Sequence, residues 1–128
     1  MVGNQEGNAL TSSFNSPYDI AIDWINSPEI IYVADYGNNC IKQINQTSSI
    51  VSVLAGNCSI SGYQDGALLS SLFNGPNSLQ FLSTSSGTKI LIADYSNIVI
   101  RMIDIVSGML FYLRMKKIIF LISLSNFK

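Results

Sequence analysis

Two pairs of side chains have the composition and spacing of carboxylate chemistry: Asp35 with Asn38, and Asp94 with Asn97. An Asp with an Asn three residues on offers oxygens that could hold a hard cation, or a carboxylate that could move a proton. A third group, Asp19, Asp23 and Trp24, sets two carboxylates beside the chain's single tryptophan. Asn45-Gln46-Thr47 and Asn57-Cys58-Ser59 are N-glycosylation triplets, with Asn45 and Asn57 as acceptors. There is no histidine. That removes Ser-His-Asp and Cys-His catalysis and His-based zinc sites from these residues.

Cys40 and Cys58 are the two cysteines. Buried or half-buried free thiols are the first reading, since two cysteines make no framework. A disulfide is the alternative: in a hairpin turning near Thr47-Ser48, Cys40 falls opposite roughly Ala55, within a loop's reach of Cys58.

The carboxylate pairs lose their claim to chemistry when the chain is laid on itself. Asp35 and Asp94 are 59 residues apart, and residues 7–45 match residues 66–104 without a gap at 14 of 39 positions. Chance would give about two or three, so the chain contains an internal repeat. A catalytic residue has no reason to recur in each unit. Asp35, Asn38, Asp94 and Asn97 therefore read as turn residues, bonding nearby backbone amides. Asp19, Asp23 and Trp24 are not repeated; their counterparts are Ser78, Leu82 and Ser83. Function grafted on a repeated scaffold belongs at such positions, with Trp24 as a binding anchor or as a cover over the core.

The elements that must position these residues are short strands. Phe14 to Pro17 and Phe73 to Pro76 form corners leading into "YDIAID" and "NSLQFL". Turn-rich loops follow, "WINSPE" and "STSSGT", and then the apolar runs Ile30–Ala34 and Ile90–Ala93, strands covered on both faces. Cys40–Asn45 and Val99–Asp104 are third strands; in the first, Ile41 and Ile44 flank polar Lys42 and Gln43. Ile50–Leu54 is a fourth. About four strands per unit predict an all-β fold, a partial β-propeller of two four-stranded antiparallel blades. The organisation expected is a partial linker over 1–13, a blade over 14–56, an inter-blade linker over 57–72, a second blade over 73–113 and a non-repeat tail over 114–128. Glu6-Gly7 and Asp65-Gly66 mark the linkers as turns.

The ordered set F-N-x-P, then apolar-apolar-A-D-Y-x-N-x-x-I-x-x-I, then "VSVLAG", then "GYQDGALLSSLFNGP" resembles the NHL repeat family of β-propellers. The resemblance covers residues 3 to about 108. It implies a six-bladed disc with a central channel, of which two blades are present. The shared residues of the repeat all have structural readings and form no catalytic constellation, so the expectation is a protein-interaction scaffold without catalysis of its own and without cofactor or metal. The alternative the resemblance leaves is a piece of a propeller enzyme, a lyase, lactonase or other hydrolase, whose channel site needs further blades. The net charge of −1 and the absence of a basic stripe before the tail argue against nucleic acid.

The tail departs from the repeat. "LFYLRM" stands where "VSVLAG" should recur, and no Gly or Asp follows Gly108. A frameshift or a misplaced gene boundary is the expected origin. Its apolar run over 118–124 is far short of the roughly 20 residues of a membrane span. The opening "MVGNQEGNAL" has no basic start or apolar run, so no compartment is assigned. Two blades leave two faces open, on the order of 300 Å² each from ordinary strand spacing. At about 25 cal/mol per Å², each is worth up to roughly 8 kcal/mol, on the scale of a whole domain's stability. The chain is therefore expected to need protein partners, further blades or self-association.

Overall fold

A computed structural model of the chain describes residues 2–113, and the expected non-repeat tail lies outside them. Among the described residues, ten strands form two antiparallel sheets. In chain order they are β1 (Gly7–Asn8), β2 (Pro17–Asp23), β3 (Ser27–Asp35), β4 (Cys40–Asn45) and β5 (Ile50–Ala55), then β6 (Gly66–Ala67), β7 (Pro76–Thr84), β8 (Gly87–Asp94), β9 (Val99–Asp104) and β10 (Met109–Tyr112). The sheet orders are β1-β5-β4-β3-β2 and β6-β10-β9-β8-β7. Each unit is thus an up-and-down meander of four strands, as its punctuation predicted, and the fold is all-β, a partial propeller of two blade-like sheets.

Each sheet has five strands rather than four. The extra strand is only two residues long and comes from the segment before the blade: Gly7 and Asn8 pair with Val51 and Ile50, and Gly66 and Ala67 pair with Leu110 and Met109. Residues expected to be linker therefore cover the outer edge of the following sheet. Glu6 and Asp65 extend this pairing, their carboxylates accepting the backbone N–H of Val53 at 2.8 Å and of Tyr112 at 3.0 Å. Edge amides that would otherwise be open are satisfied in this way. The loops between the first two strands of each unit are shorter than expected, because β3 begins at Ser27 and β7 runs to Thr84.

The apolar core lies between the sheets. Tyr32, Ala34, Ile41 and Ala55 of the first meet Leu79, Ile90, Ile92, Ile103 and Leu110 of the second, with Phe73 at the corner. Phe73 explains one glycine. A Cβ on Gly56, which holds φ +91°, would sit 2.9 Å from the Phe73 ring and 3.0 Å from the Asn39 carbonyl oxygen. The end of one blade can close on the start of the next only without a side chain there.

A buried ion pair anchors each blade. The Asp35 carboxylate accepts the Asn15 N–H at 2.8 Å and the Asn38 Nδ2 at 2.8 Å, and lies 3.0 Å from Lys42 Nζ. Lys42 Nζ also donates to the Ser13 carbonyl at 2.8 Å, and Asn38 Nδ2 to that of Gly3. The second blade repeats this. Asp94 accepts from Asn74 N–H, Asn97 Nδ2 and Arg101 Nη1, each at 2.8 Å. Arg101 donates to the Leu72 and Gln64 carbonyls and reaches Asp65 at 2.6 Å. Both side chains of each central pair are fully buried. Tyr36–Asn38 and Tyr95–Asn97 form single 3-10 turns, but Asp35 and Asp94 do not cap them as expected: neither carboxylate bonds a backbone amide of its turn, and the backbone N–H each accepts belongs to Asn15 or Asn74, 20 residues earlier. Lys42 alternates with Ile41 along β4 yet is as buried as Ile41, its ammonium held between the Asp35 carboxylate and the Ser13 carbonyl.

Cys40 and Cys58 form a disulfide with Cα atoms 5.0 Å apart, which overturns the free-thiol reading. Ile41 rather than Cys40 faces Ala55, and a bulge after Ile41 shifts the register. The bond ties the start of β4 to the segment that leaves the blade, at the place where Gly56 packs on Phe73.

Two outcomes follow. Asp35→Ala or Asp94→Ala strands a buried cation and lowers stability by about 3–5 kcal/mol; a urea midpoint near the wild-type value would contradict this. Reduction, or Cys40→Ser with Cys58→Ser, opens a loop of sequence separation 18 and costs about 3 kcal/mol, read as a lower midpoint in reducing buffer.

Candidate functional site

The non-repeated residues cluster along β2 and the turn after it. β2 and β7 are the terminal strands of their sheets on the same side and lie against each other. Asp19, on β2, is spent on that contact. Its carboxylate accepts the Leu79 N–H at 2.8 Å and the Ser78 hydroxyl at 3.1 Å. Asp23, at the end of β2, is buried. It accepts the N–H groups of Ile25 at 3.1 Å and Asn26 at 3.0 Å, the Asn26 Nδ2 at 2.9 Å, and the Thr88 hydroxyl of the second sheet. Asn26 Nδ2 also reaches the Thr88 oxygen at 3.0 Å. Burial pushes the Asp23 carboxyl up, but the hydrogen bonds from Thr88 and Asn26 outweigh it and hold the group below the usual carboxylate range.

The Asp23 cage positions Trp24 and Ile25. The two follow it directly in the tight turn Trp24–Asn26, and they are 73% and 76% exposed. Trp24 is therefore not a cover over the core. A turn held at both backbone amides presents two adjacent large apolar side chains to solvent. Ile25 had no separate signal in the sequence; the cue available was its place beside Trp24, within three residues of a capping Asp.

A second feature lies on the far face of the second sheet. An open groove of about 690 Å³ runs between the Tyr95 turn and β10, lined chiefly by Ala93, Tyr95, Ile98, Ile100, Tyr112 and Leu113. Leu82, Met102 and Leu113 form a small apolar cluster on that face. Ile98 is 90% exposed and holds φ +56°, a left-handed backbone that β-branched residues rarely adopt. The matching residue of the first unit is Asn39, at φ +59°.

The remaining predicted positions are apart from both features. Asn45 ends β4, its Oδ1 accepting the Ser48 N–H, and Asn57 is exposed, its Oδ1 accepting the Ser59 N–H. Among the described residues no group of three or more His, Cys, Asp or Glu is arranged to hold a metal ion, and no helix is long and apolar enough to cross a membrane.

The lowered Asp23 value makes a sign-specific prediction. A carboxyl with a depressed folded value stabilises above its unfolded value, about 3.9, and that stability is lost as pH falls through the folded value. The stability advantage of wild type over Asp23→Asn should be full above about pH 5 and shrink steadily below about pH 4. Urea midpoints across this range measure it, and a pH-independent gap would contradict the assignment.

No protein-family model and no curated protein matches the chain. Solved structures do. A structure described as an auxiliary nutrient binding protein from Bacteroides ovatus ATCC 8483 aligns over 80% of this chain with TM-score 0.65 at 18% identity. Another with that description, from Bacteroides thetaiotaomicron VPI-5482, aligns over 79% with TM-score 0.64 at 15% identity. A protein of unknown function from the same Bacteroides thetaiotaomicron strain aligns over 82% with TM-score 0.63 at 21% identity. The chain spans about a quarter of each of these, 26%, 25% and 26% of their lengths. At such identities the likeness is one of fold.

Proposed function

We propose that this chain is a protein-interaction module on a propeller scaffold of NHL type, without catalysis of its own, and that the Trp24–Ile25 turn is its anchor. The observation that carries this reading is the pair of exposed large apolar side chains on a turn fixed by the buried Asp23. Tryptophan is among the residues that dominate binding energy when they enter a partner's pocket. A turn already held rigid loses little conformational entropy on docking. Enzyme chemistry has less in its favour. The repeated carboxylates Asp35 and Asp94 have their oxygens filled by Lys42 or Arg101 and by neighbouring amides, and Asp19 and Asp23 are filled by groups of the second sheet and the turn. The partner fitting the anchor is a protein offering an apolar pocket of aromatic size.

Affinity capture with wild type and with the Trp24→Ala, Ile25→Ser double variant tests this. A protein retained by wild type should bind the variant roughly 30-fold more weakly, about 2 kcal/mol. Trp24 is the only tryptophan, so docking there also shifts its fluorescence to the blue. A partner that binds both forms equally, with unchanged emission, would refute the anchor.

A further inference from the structure

We infer that Asn45 is a site of N-glycosylation, its side-chain amide carrying an oligosaccharide at an exposed hairpin turn. This goes beyond the anchor reading and does not rest on it.

The disulfide gives the setting. A bond such as Cys40–Cys58 persists where thiols are oxidised, in exported chains and the compartments they pass through. Attachment of sugar to Asn-x-Ser/Thr belongs to the same route and falls on surface loops. Asn45-Gln46-Thr47 has the residues, and the fold displays them. Asn45 ends β4, and Gln46, Thr47, Ser48 and Ser49 are all exposed before β5 begins at Ile50. The Asn45 Oδ1 accepts the Ser48 N–H at 2.9 Å and closes the turn. The Asn45 Nδ2 donates to no described residue. No buried side-chain nitrogen or oxygen among the described residues lacks a partner, so this one is turned to solvent. Transfer joins Nδ2 to the anomeric carbon of a lipid-pyrophosphate-linked oligosaccharide. The carbon–oxygen bond to the pyrophosphate breaks, the pyrophosphate leaves with the electron pair, and one Nδ2 proton passes to a base of the transferase. Oδ1 is untouched, so the bond that closes the turn survives.

The second unit separates what the turn needs from what the sugar needs. Asp104 holds the matching place, and its Oδ1 accepts the N–H groups of Val106 at 3.0 Å and Ser107 at 3.1 Å. Its Oδ2 is taken by Lys89 Nζ at 2.5 Å. The hairpin therefore asks for one acceptor oxygen at this position, and the other terminal atom is set by its neighbour. In the first unit Ile30 stands in the place of Lys89 and faces Asn45 in register, so the amide nitrogen is left unspent. The surroundings also suit a glycan. Ile50, opposite Asn45 on β5, is 42% exposed, and charged residues are 12% of the chain, against about 25% in ordinary soluble domains. A glycan hydrates a surface that carries little charge of its own. The other triplet is less suited. Its middle residue, Cys58, is buried in the disulfide, and the Cys58 carbonyl accepts Asn4 Nδ2 at 3.2 Å.

Mass spectrometry on the protein isolated from its source cells is the test. Peptide N-glycosidase in heavy-oxygen water converts a glycosylated Asn to an Asp bearing the heavy oxygen, and the label should appear at position 45. On a gel, the same treatment should increase the mobility of the chain. Thr47→Ala, expressed in the same cells, should lose the label at 45 and run as glycosidase-treated wild type does. Thr47→Ser should keep the label, since its hydroxyl completes the triplet equally. Both variants leave Asn45 and its bond to Ser48 in place, which far-ultraviolet circular dichroism checks. An unlabelled Asn45 in the wild-type chain, a label confined to Asn57, or a label at 45 that survives Thr47→Ala would each overturn the assignment.

Discussion

A carboxylate and a cation buried together hold each blade in shape. Asp35 with Lys42, and Asp94 with Arg101, sit where the corner before the first strand of the meander, the turn after its second strand and the incoming linker converge. Those segments are irregular, and their carbonyls and amides cannot all be met by the sheet ladder. The pair supplies the missing donors and acceptors. A buried charge without a partner is costly, so neither member is replaceable alone. The cations also lie over ring faces, Lys42 over Phe14 and Arg101 over Phe73 and Tyr63. Arginine in the second blade reaches two acceptors that have no counterpart at Lys42, the Gln64 carbonyl and Asp65 of the linker, because its fork carries five donors.

Around this constant part the two copies diverge, and they do so at contacts between sheets. Asp19, Asp23, Asn39 and Gly75 join the first sheet to the second. Ser78, Leu82, Ile98 and Ser16 hold the matching places on the faces turned outward. What repeats satisfies the interior of a blade; what changes answers to the neighbour. Asp19 and Asp23 stood out in the sequence because they occur once, and they occur once because this chain has one internal sheet-to-sheet interface among its described residues. Trp24 differs from them, since its side chain points to solvent while the adjacent carboxylate fixes its turn. The disulfide also has no copy in the second unit, where Val99 stands in the place of Cys40.

The part of this chain that aligns spans about a quarter of the length of the similar structures. Blade edges are treated differently from blade faces. The two-residue strands β1 and β6, with Glu6 and Asp65, close the outer edges from within the chain. Ile20 on β2 and Ile98 in the turn before β9 stay exposed.

The repeat, its period and the meander of strands were legible in the sequence, because backbone periodicity and turn chemistry are local and a gapless offset preserves them; the corner amides that Asp35 and Asp94 accept, 20 residues away, were not. Cys40–Asn45 and Val99–Asp104 could be read to the residue for that reason. Lys42 and Arg101 also share the offset, yet their burial was not legible: a basic residue looks solvated until a carboxylate from another turn is placed against it. Only the tertiary structure decided the fate of Asp19 and Asp23, the disulfide and the short edge strands. Each depends on a partner 18 or more residues away, and distance along the chain carries no information about which groups will meet once two sheets have packed.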